Sequence, residues 1–277
     1  MKLVEFTRIQ KQRLEELGGG KLVDLRFQNE TEREQRFDQV AQGLEKRNKE
    51  GLLKLLKTTK TPTIKQLERE IALALTDAGF TEVSTPSIIP KEFINRMGIT
   101  ESHNLWRQIF WLDAKRCLRP MLAPNLYHVM EKLRRFLKPV SIFEVGSCFR
   151  KESKGRMHAE EFAMLNAVEL APEKQALERL REIIATSLKA VGMPNYELQK
   201  VESDVYDETI DVIVDGVEVG SAATGPHRLD RNWKIIEPWA GVGFGMERLA
   251  MIRMQSKNLG HVGRSLRHLD GFSLNLM

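Results

Sequence analysis

The chain has 277 residues, 42% of them hydrophobic, and a net charge of +5. That length holds one large domain, or one plus an appendage, with a real core. No apolar run approaches the roughly 18 residues of a membrane span. The opening Met1-Lys2-Leu3-Val4-Glu5 turns polar too soon for a signal peptide. Cys117 and Cys148 are too few for a disulfide framework; in apolar runs they read as buried thiols in a reducing, cytoplasmic setting.

Taken in order, residues 4–17 are predicted helical and Gly18-Gly19-Gly20 stops them. Residues 30–58 are rich in helix formers, with Leu44, Leu52, Leu53, Leu55 and Leu56 as a thin apolar stripe. Residues 1–60 therefore read as a helical appendage and 61–277 as the main domain, with Thr61-Pro62 as the hinge. Residues 41–60 hold six lysines and arginines against two glutamates, a net +4. Local basicity on a helix suits a phosphate backbone, with Lys46, Lys49 and Lys54 as candidate contacts; a solvated face is the other reading.

Thr63-x-x-Gln66 has the form of a capping box. Ile64, Leu67, Ile71 and Leu75 follow at helical spacing. A short helix is predicted over 90–98, paired strands over 106–113 and 116–121, and a helix over 124–137 stopped by Pro139. Strands over 140–149 and 162–170 enclose a polar loop with Lys151, Lys154, Arg156 and His158. A helix over 172–192 and a strand over 196–201 come next. Asp215-Gly216 signals a hairpin of 209–214 and 217–222. A glycine run over 239–245 leads into a helix to about 257. The tail carries His261, Arg264, Arg267 and His268 and ends in an edge strand. Adjacent strand runs and hairpin turns predict an α+β fold, an antiparallel sheet flanked by helices, rather than alternating βαβ units.

Two stretches carry chemistry. Arg150 and Glu152 are two apart, so on a strand they share a face. Arginine offers a fork to phosphate, and glutamate accepts from an amino group; an adenine nucleotide presents both partners. The second stretch, Gly241-x-Gly243-x-Gly245 before a helix, suits a backbone that approaches a ligand closely. Its spacing is not the dinucleotide fingerprint. Arg248 lies just inside that helix.

Phe149-Arg150-x-Glu152 followed by Gly241-x-Gly-x-Gly245-x-Glu247-Arg248 resembles motifs 2 and 3 of the class II aminoacyl-tRNA synthetases, and residues 64–86 resemble motif 1. Leu118-Arg-Pro-Met-Leu-Ala-Pro-Asn-Leu-Tyr127, Glu161-Phe162-x-Met-Leu-Asn166, Ser203-Asp-Val-Tyr206 and Glu237-Pro238-Trp239 are similar to the catalytic domain of pyrrolysyl-tRNA synthetases. The resemblance covers about 62–277; the first 60 residues match loosely.

The resemblance implies ATP-dependent activation of pyrrolysine, or a close lysine derivative, and transfer to the 3′ end of tRNA. It assigns the α-phosphate to Arg150, the γ-phosphate end to Arg248, and the adenine amino group to Glu152. Phe162 and Arg248 would sandwich the adenine. The resemblance also makes His158 a phosphate donor, a solvated loop residue being the other reading, and brings Gly243 and Gly245 close to the nucleotide. Glu218 and Ser221 match Mg²⁺ ligands, oxygen donors that suit the ion. The amino-acid pocket maps to Ala123, Leu126, Tyr127, Met130, Asn166, Val168, Tyr206, Ala223 and Trp239. Asn166 would bond a side-chain amide and Tyr206 a distal ring nitrogen. A homodimer through the motif 1 helix is implied.

The sequence departs from the family pattern at Ala159, Ala163 and Ala167, where larger side chains are usual, which bears on substrate size. The separate N-terminal tRNA-binding domain of longer members is not in the sequence, so a free-standing short form and a partner polypeptide are both open. Alternatives are a paralogue for another amino acid or acceptor, and a non-catalytic tRNA-binding protein. Retention of Arg150 and Arg248 argues against the last.

Overall fold

The hairpin expected around the basic loop forms, and it supplies the second and third strands of a seven-stranded sheet. The structure, a computed structural model, describes residues 3–151, 159–203, 205–256 and 258–276. Its elements are β1 (Val4–Glu5), α1 (Arg8–Glu16), β2 (Arg26–Phe27), α2 (Glu30–Lys54), α3 (Thr63–Asp77), β3 (Thr81–Glu82), β4 (Ile88–Pro90), α4 (Lys91–Arg96), α5 (Asn104–Gln108), β5 (Arg116–Leu118) and α6 (Ala123–Leu133). Then follow β6 (Val140–Phe149), β7 (Glu161–Leu170), α7 (Ala176–Ala190), β8 (Glu197–Ser203), β9 (Asp207–Val214), β10 (Val217–Gly225), β11 (Trp239–Gly245), α8 (Met246–Arg253), α9 (Leu259–Val262), β12 (His268–Leu269) and β13 (Phe272–Ser273).

The sheet runs β3-β6-β7-β11-β10-β9-β8, antiparallel except for β3 against β6. Strand alternation decides its two faces. Ala163, Leu165 and Ala167 point into a core built with α3, α7 and α8. Val168 and Leu170 point into a second core, shared with α4, α6 and Trp233. Asp215 and Gly216 both have positive φ, 50° and 74°, as the two-residue hairpin between β9 and β10 requires.

A buried ion pair fixes the approach to the sheet. Arg119 Nη1 lies 2.7 Å from Glu144 Oε1, and Arg119 Nε donates to the Ser147 carbonyl. The Thr85 hydroxyl and backbone N–H both donate to Glu144. Two charges out of water are tolerable here because nearby hydrogen bonds share the load.

Several expectations change. Residues 104–108 are helical, not strand, and β5 pairs with β4; a single bridge joins Trp111 to Cys117. The His103 ring accepts the Leu105 N–H and caps that turn, a local contact that wins over strand propensity. The Thr63–Gln66 capping box does not form: α3 is capped at Pro62, the Thr63 N–H donates to Asp270, and the Gln66 amide donates to the Thr61 carbonyl. A capping box forms instead at Thr7 and Gln10. The tail hairpin β12–β13 pairs with itself rather than with the main sheet.

Residues 3–59 have their own core of Phe6, Leu14, Leu17, Val23, Phe27, Val40 and Leu44. Leu44 and Leu55 of the predicted stripe are buried, whereas Leu53 and Leu56 are exposed. The buried Asn48 amide donates to the Leu17 and Leu44 carbonyls and accepts the Ser273 N–H. One satisfied polar group thus ties α2 to α1 and to the tail. No described helix is long and apolar enough to cross a membrane.

Candidate active site

The uncovered part of the sheet forms the floor of a cavity of about 720 Å³. On β7 the period of two turns Phe162, Met164, Asn166 and Val168 into it. Helix α6 adds Ala123, Leu126, Tyr127 and Met130, and β10 and β11 add Ala223 and Trp239. Tyr206, between β8 and β9, completes this end. Arg150, Gly243, Gly245, Glu218, Ser221 and Arg248 lie along the same cavity. Glu152, Lys154, Arg156 and His158 fall outside the described residues.

Close approach requires one glycine here, and a second one borders the open chamber. A Cβ at Gly225 would lie 1.8 Å from Trp239 Nε1, so the absence of a side chain there lets the indole lie across β10. A Cβ at Gly243 would meet Met164 Cε at 3.3 Å and Asn166 Nδ2 at 3.4 Å. Glycine there keeps the space over Asn166 open.

The cations are held, not free. Arg150 follows the end of β6; its Nε donates to the Pro120 carbonyl at 2.9 Å, and its guanidinium carbon lies 5.3 Å from the Phe162 ring centroid. Arg248 Nη1 donates to the Glu218 carbonyl at 2.8 Å and lies 3.0 Å from Glu218 Oε1. Residues 218 and 221 are three apart, which on a regular strand puts them on opposite faces. A bulge between Glu218 and Gly220 adds a residue and brings both into the cavity. Asp211 lies opposite Ser221 in the β9–β10 register, and burial and the nearby Glu218 push its carboxyl up. Two carboxylates and a hydroxyl make an oxygen donor set that fits Mg²⁺ when substrate phosphates supply further ligands. Among the described residues no cluster of three His, Cys, Asp or Glu could hold a metal alone.

Sequence reasoning missed Met121, Met164, Asp211 and Glu247, all of which line the cavity. Met164 was readable from its spacing to Asn166. Conversely, Ala163 and Ala167 lie on the helix-packed face, because odd and even positions of β7 face opposite ways; Ala159, which precedes β7, lines the cavity. The Cys117 and Cys148 thiols are buried and pushed up by that burial to about 11 and about 12, so neither is a ready nucleophile.

Glu247 occupies a structural gap. The β7–β11 ladder ends at Met164–Gly245, and both Glu247 carboxylate oxygens accept the next N–H of β7, that of Ala163, at 2.8 and 3.1 Å. Burial, with a smaller push from Glu68, raises its carboxyl to about 7 against the Ala163 and own-backbone N–H groups and Arg264. Below the ordinary value of 4.5 the group is protonated folded and unfolded alike; between 4.5 and about 7 only the unfolded chain ionises, so stability falls as pH rises. Relative to wild type, Glu247→Gln should therefore gain about 3 kcal/mol between about pH 4.5 and pH 7. Thermal melts of both proteins across that range check it; a constant gap would mean that the carboxyl does not titrate there.

A family model described as "Phenylalanyl tRNA synthetase beta chain CLM domain" matches residues 54–239. The phenylalanine–tRNA ligase alpha subunit of Phytoplasma australiense is 26% identical over 212 residues, which is 69% of this chain and 61% of that protein. The sheet and these matches define the catalytic domain of a class II aminoacyl-tRNA synthetase. Two solved structures of pyrrolysyl-tRNA synthetase from Desulfitobacterium hafniense superpose over 99% of this chain and 100% of theirs, with TM-scores of 0.92 and 0.90 at 43% and 42% identity. The chain belongs to the pyrrolysyl-tRNA synthetase family of aminoacyl-tRNA ligases.

Proposed function

We propose that the protein activates pyrrolysine, or a close Nε-acylated lysine, with ATP and transfers the acyl group to the 3′ end of a pyrrolysine-type tRNA. The observation that carries this reading is one cavity with two unlike ends. Arg150, Phe162 and Arg248 line it together with a long, mostly apolar chamber of Ala123, Leu126, Met130, Val168, Ala223 and Trp239. Asn166, Tyr127 and Tyr206 are the polar points of that chamber.

The amino-acid carboxylate attacks the α-phosphorus and pyrophosphate leaves, so no protein nucleophile is needed. Arg150 holds the α-phosphate and neutralises charge that grows there; Arg248 takes the γ-phosphate end, exchanging its contact with Glu218. Phe162 supplies an adenine platform. Glu152 and His158 keep the adenine and phosphate roles that the family pattern gives them. Glu218 and Ser221 would hold Mg²⁺, which neutralises phosphate charge when bound.

The match to phenylalanine-type ligases, with Ala123 and Ala223 as small walls, supports an aromatic amino acid as the second reading. Amino-acid-dependent pyrophosphate exchange across Nε-acylated lysines and phenylalanine, then charging of a pyrrolysine-type tRNA, separates the two. Exchange with phenylalanine alone would overturn the first.

Residues 1–60 are proposed as the tRNA-contacting part, with or without a separate tRNA-binding polypeptide. Lys46, Lys49 and Lys54 are exposed on α2, and Lys46 lies 4.0 Å from Glu50. Reversing all three charges should weaken tRNA charging and flatten its salt dependence while leaving exchange unchanged. Equal tRNA affinity in wild type and triple variant would return α2 to a solvated face. Dimerisation belongs to the same proposal. Ile64, Leu67, Ile71 and Leu75 are spent on the chain's own core, so a partner would meet the other face of α3, where Leu73 is exposed.

A further inference from the structure

The stretch from α4 to β5 carries an aromatic cluster that neither the phosphate sites nor the amino-acid chamber uses. The Trp106 and Trp111 rings lie 4.5 Å apart, centroid to centroid, and the Lys91 ammonium stands 4.9 and 5.6 Å from them. One residue before Trp111, the Phe110 ring has the Lys151 ammonium 5.6 Å from its centroid. Both tryptophans are half-buried, and Arg107, Lys115 and Lys151 are exposed. Among the described residues, the side chains of Lys91, Arg107, Lys115 and Lys151 have no carboxylate partner. Asp113, the acid within the stretch, is taken by the Arg116 guanidinium at 2.8 Å. Positive charge therefore gathers around these rings without a counter-charge from the protein itself.

Helix α5 joins the cluster to the cavity. Asn104, Leu105 and Gln108 line the cavity, and Trp106 and Arg107 lie on the same short helix. The Lys151 N–H donates to the Gln108 carbonyl at 2.7 Å, so α5 is tied to the residue that follows Arg150. The rings and cations thus stand beside the end of the cavity that Arg150 lines.

The chemistry of the cluster narrows its ligand. Cations alone suit any phosphate backbone. Aromatic faces demand more, because they stack only bases that are not already paired within a duplex. The transfer step needs such a strand: the 3′ end of tRNA is unpaired and must reach the acyl-adenylate inside the cavity.

We propose that Trp106 and Trp111, with Lys91, Arg107 and Lys151, bind the unpaired 3′ nucleotides of tRNA at the cavity mouth, the tryptophans stacking bases and the cations taking phosphates. This rests on the tRNA-charging reading. It is a different surface from α2, whose lysines would meet the tRNA whether or not its 3′ end is present.

The test compares binding of a pyrrolysine-type tRNA with binding of the same tRNA lacking its unpaired 3′ nucleotides. Wild type should hold the intact form about tenfold more tightly. Trp106→Ala and Trp111→Ala should each cut that ratio to about two- to threefold, and Trp111→Phe, which keeps a flat ring, should restore most of it. Each alanine variant should also slow transfer from preformed adenylate about fivefold more than it slows pyrophosphate exchange. Reversing the charges on α2 should instead weaken both tRNA forms alike.

Both tryptophans pack against the second core. If an alanine variant does not fold, Arg107→Gln with Lys151→Gln carries the same expectation from exposed positions: a smaller ratio, and a shallower salt dependence for the intact tRNA only. A wild-type ratio near one, variants that weaken both forms alike, or transfer and exchange that fall in step would overturn the inference. If wild type binds with the expected dependence on the 3′ end yet charges no tRNA, the charging reading fails and the binding site stands. If it binds neither form, both fall.

Discussion

Arg150→Ala is expected to lower amino-acid-dependent pyrophosphate exchange by on the order of 10²–10³ while the protein melts as wild type does. The side chain is half-buried and lines the cavity, with its Nε on the Pro120 carbonyl and its guanidinium over Phe162. Those contacts hold the guanidinium at the cavity wall, where the proposed phosphate site lies. Truncation removes that donor and loosens the Phe162 platform. It leaves the backbone bond from the Arg150 N–H to the Glu160 carbonyl, which continues the β6–β7 ladder. The fold should therefore survive. Arg150→Lys should recover only part of the rate, because an ammonium keeps the charge but loses the planar fork and the flat face over the ring. Near wild-type exchange by Arg150→Ala with an unchanged melting curve would remove Arg150 from the reaction.

Much of this framework was legible in the sequence because it is written in short-range patterns. The β6–β7 pair follows from two apolar runs around a polar loop, and the β9–β10 hairpin from Asp215-Gly216. The chamber residues on β7 follow from a period of two once one of them is known. What was not legible depends on single contacts and irregularities that leave no pattern in the sequence. The His103 cap that turns 104–108 helical is a single ring contact in a stretch rich in strand formers. The bulge at β10 has no residue signature, yet without it Glu218 and Ser221 would not share a face. Asp230 is silent in sequence because its side-chain donors, Tyr127 and Trp239, lie 103 and 9 residues away. Ala163 and Ala167 mislead for the opposite reason. They sit beside chamber residues in sequence, but alternation sends them into the helix-packed core.

Asn166 is where the proposed substrate choice can be tested most directly. It is half-buried on β7, between Glu144 on β6 and Gly243 on β11, and it faces the chamber. Gly243 offers no side chain to cover it, so its amide stands open to whatever enters. A polar group there needs a partner, since leaving one unpaired on burial costs about 1–3 kcal/mol. An Nε-acylated lysine brings an amide carbonyl that can take its N–H; phenylalanine brings nothing. Asn166→Ala should lower kcat/KM for Nε-acylated lysines by roughly 1–3 kcal/mol of transition-state binding. The same change removes the polar atoms an aromatic ring would have to desolvate. With Ala123 and Ala223 as neighbouring walls, and Ala167 on the far side of the strand, the added room lies beside α6 and β10. Activity on bulky phenylalanine derivatives should therefore rise as activity on acylated lysines falls, which distinguishes lost recognition from general damage. Exchange kinetics on both substrate classes decide the matter. If the variant keeps the wild-type preference for acylated lysines over aromatics, the amide of Asn166 does not select the substrate, and the apolar walls and Tyr206 must do so without it.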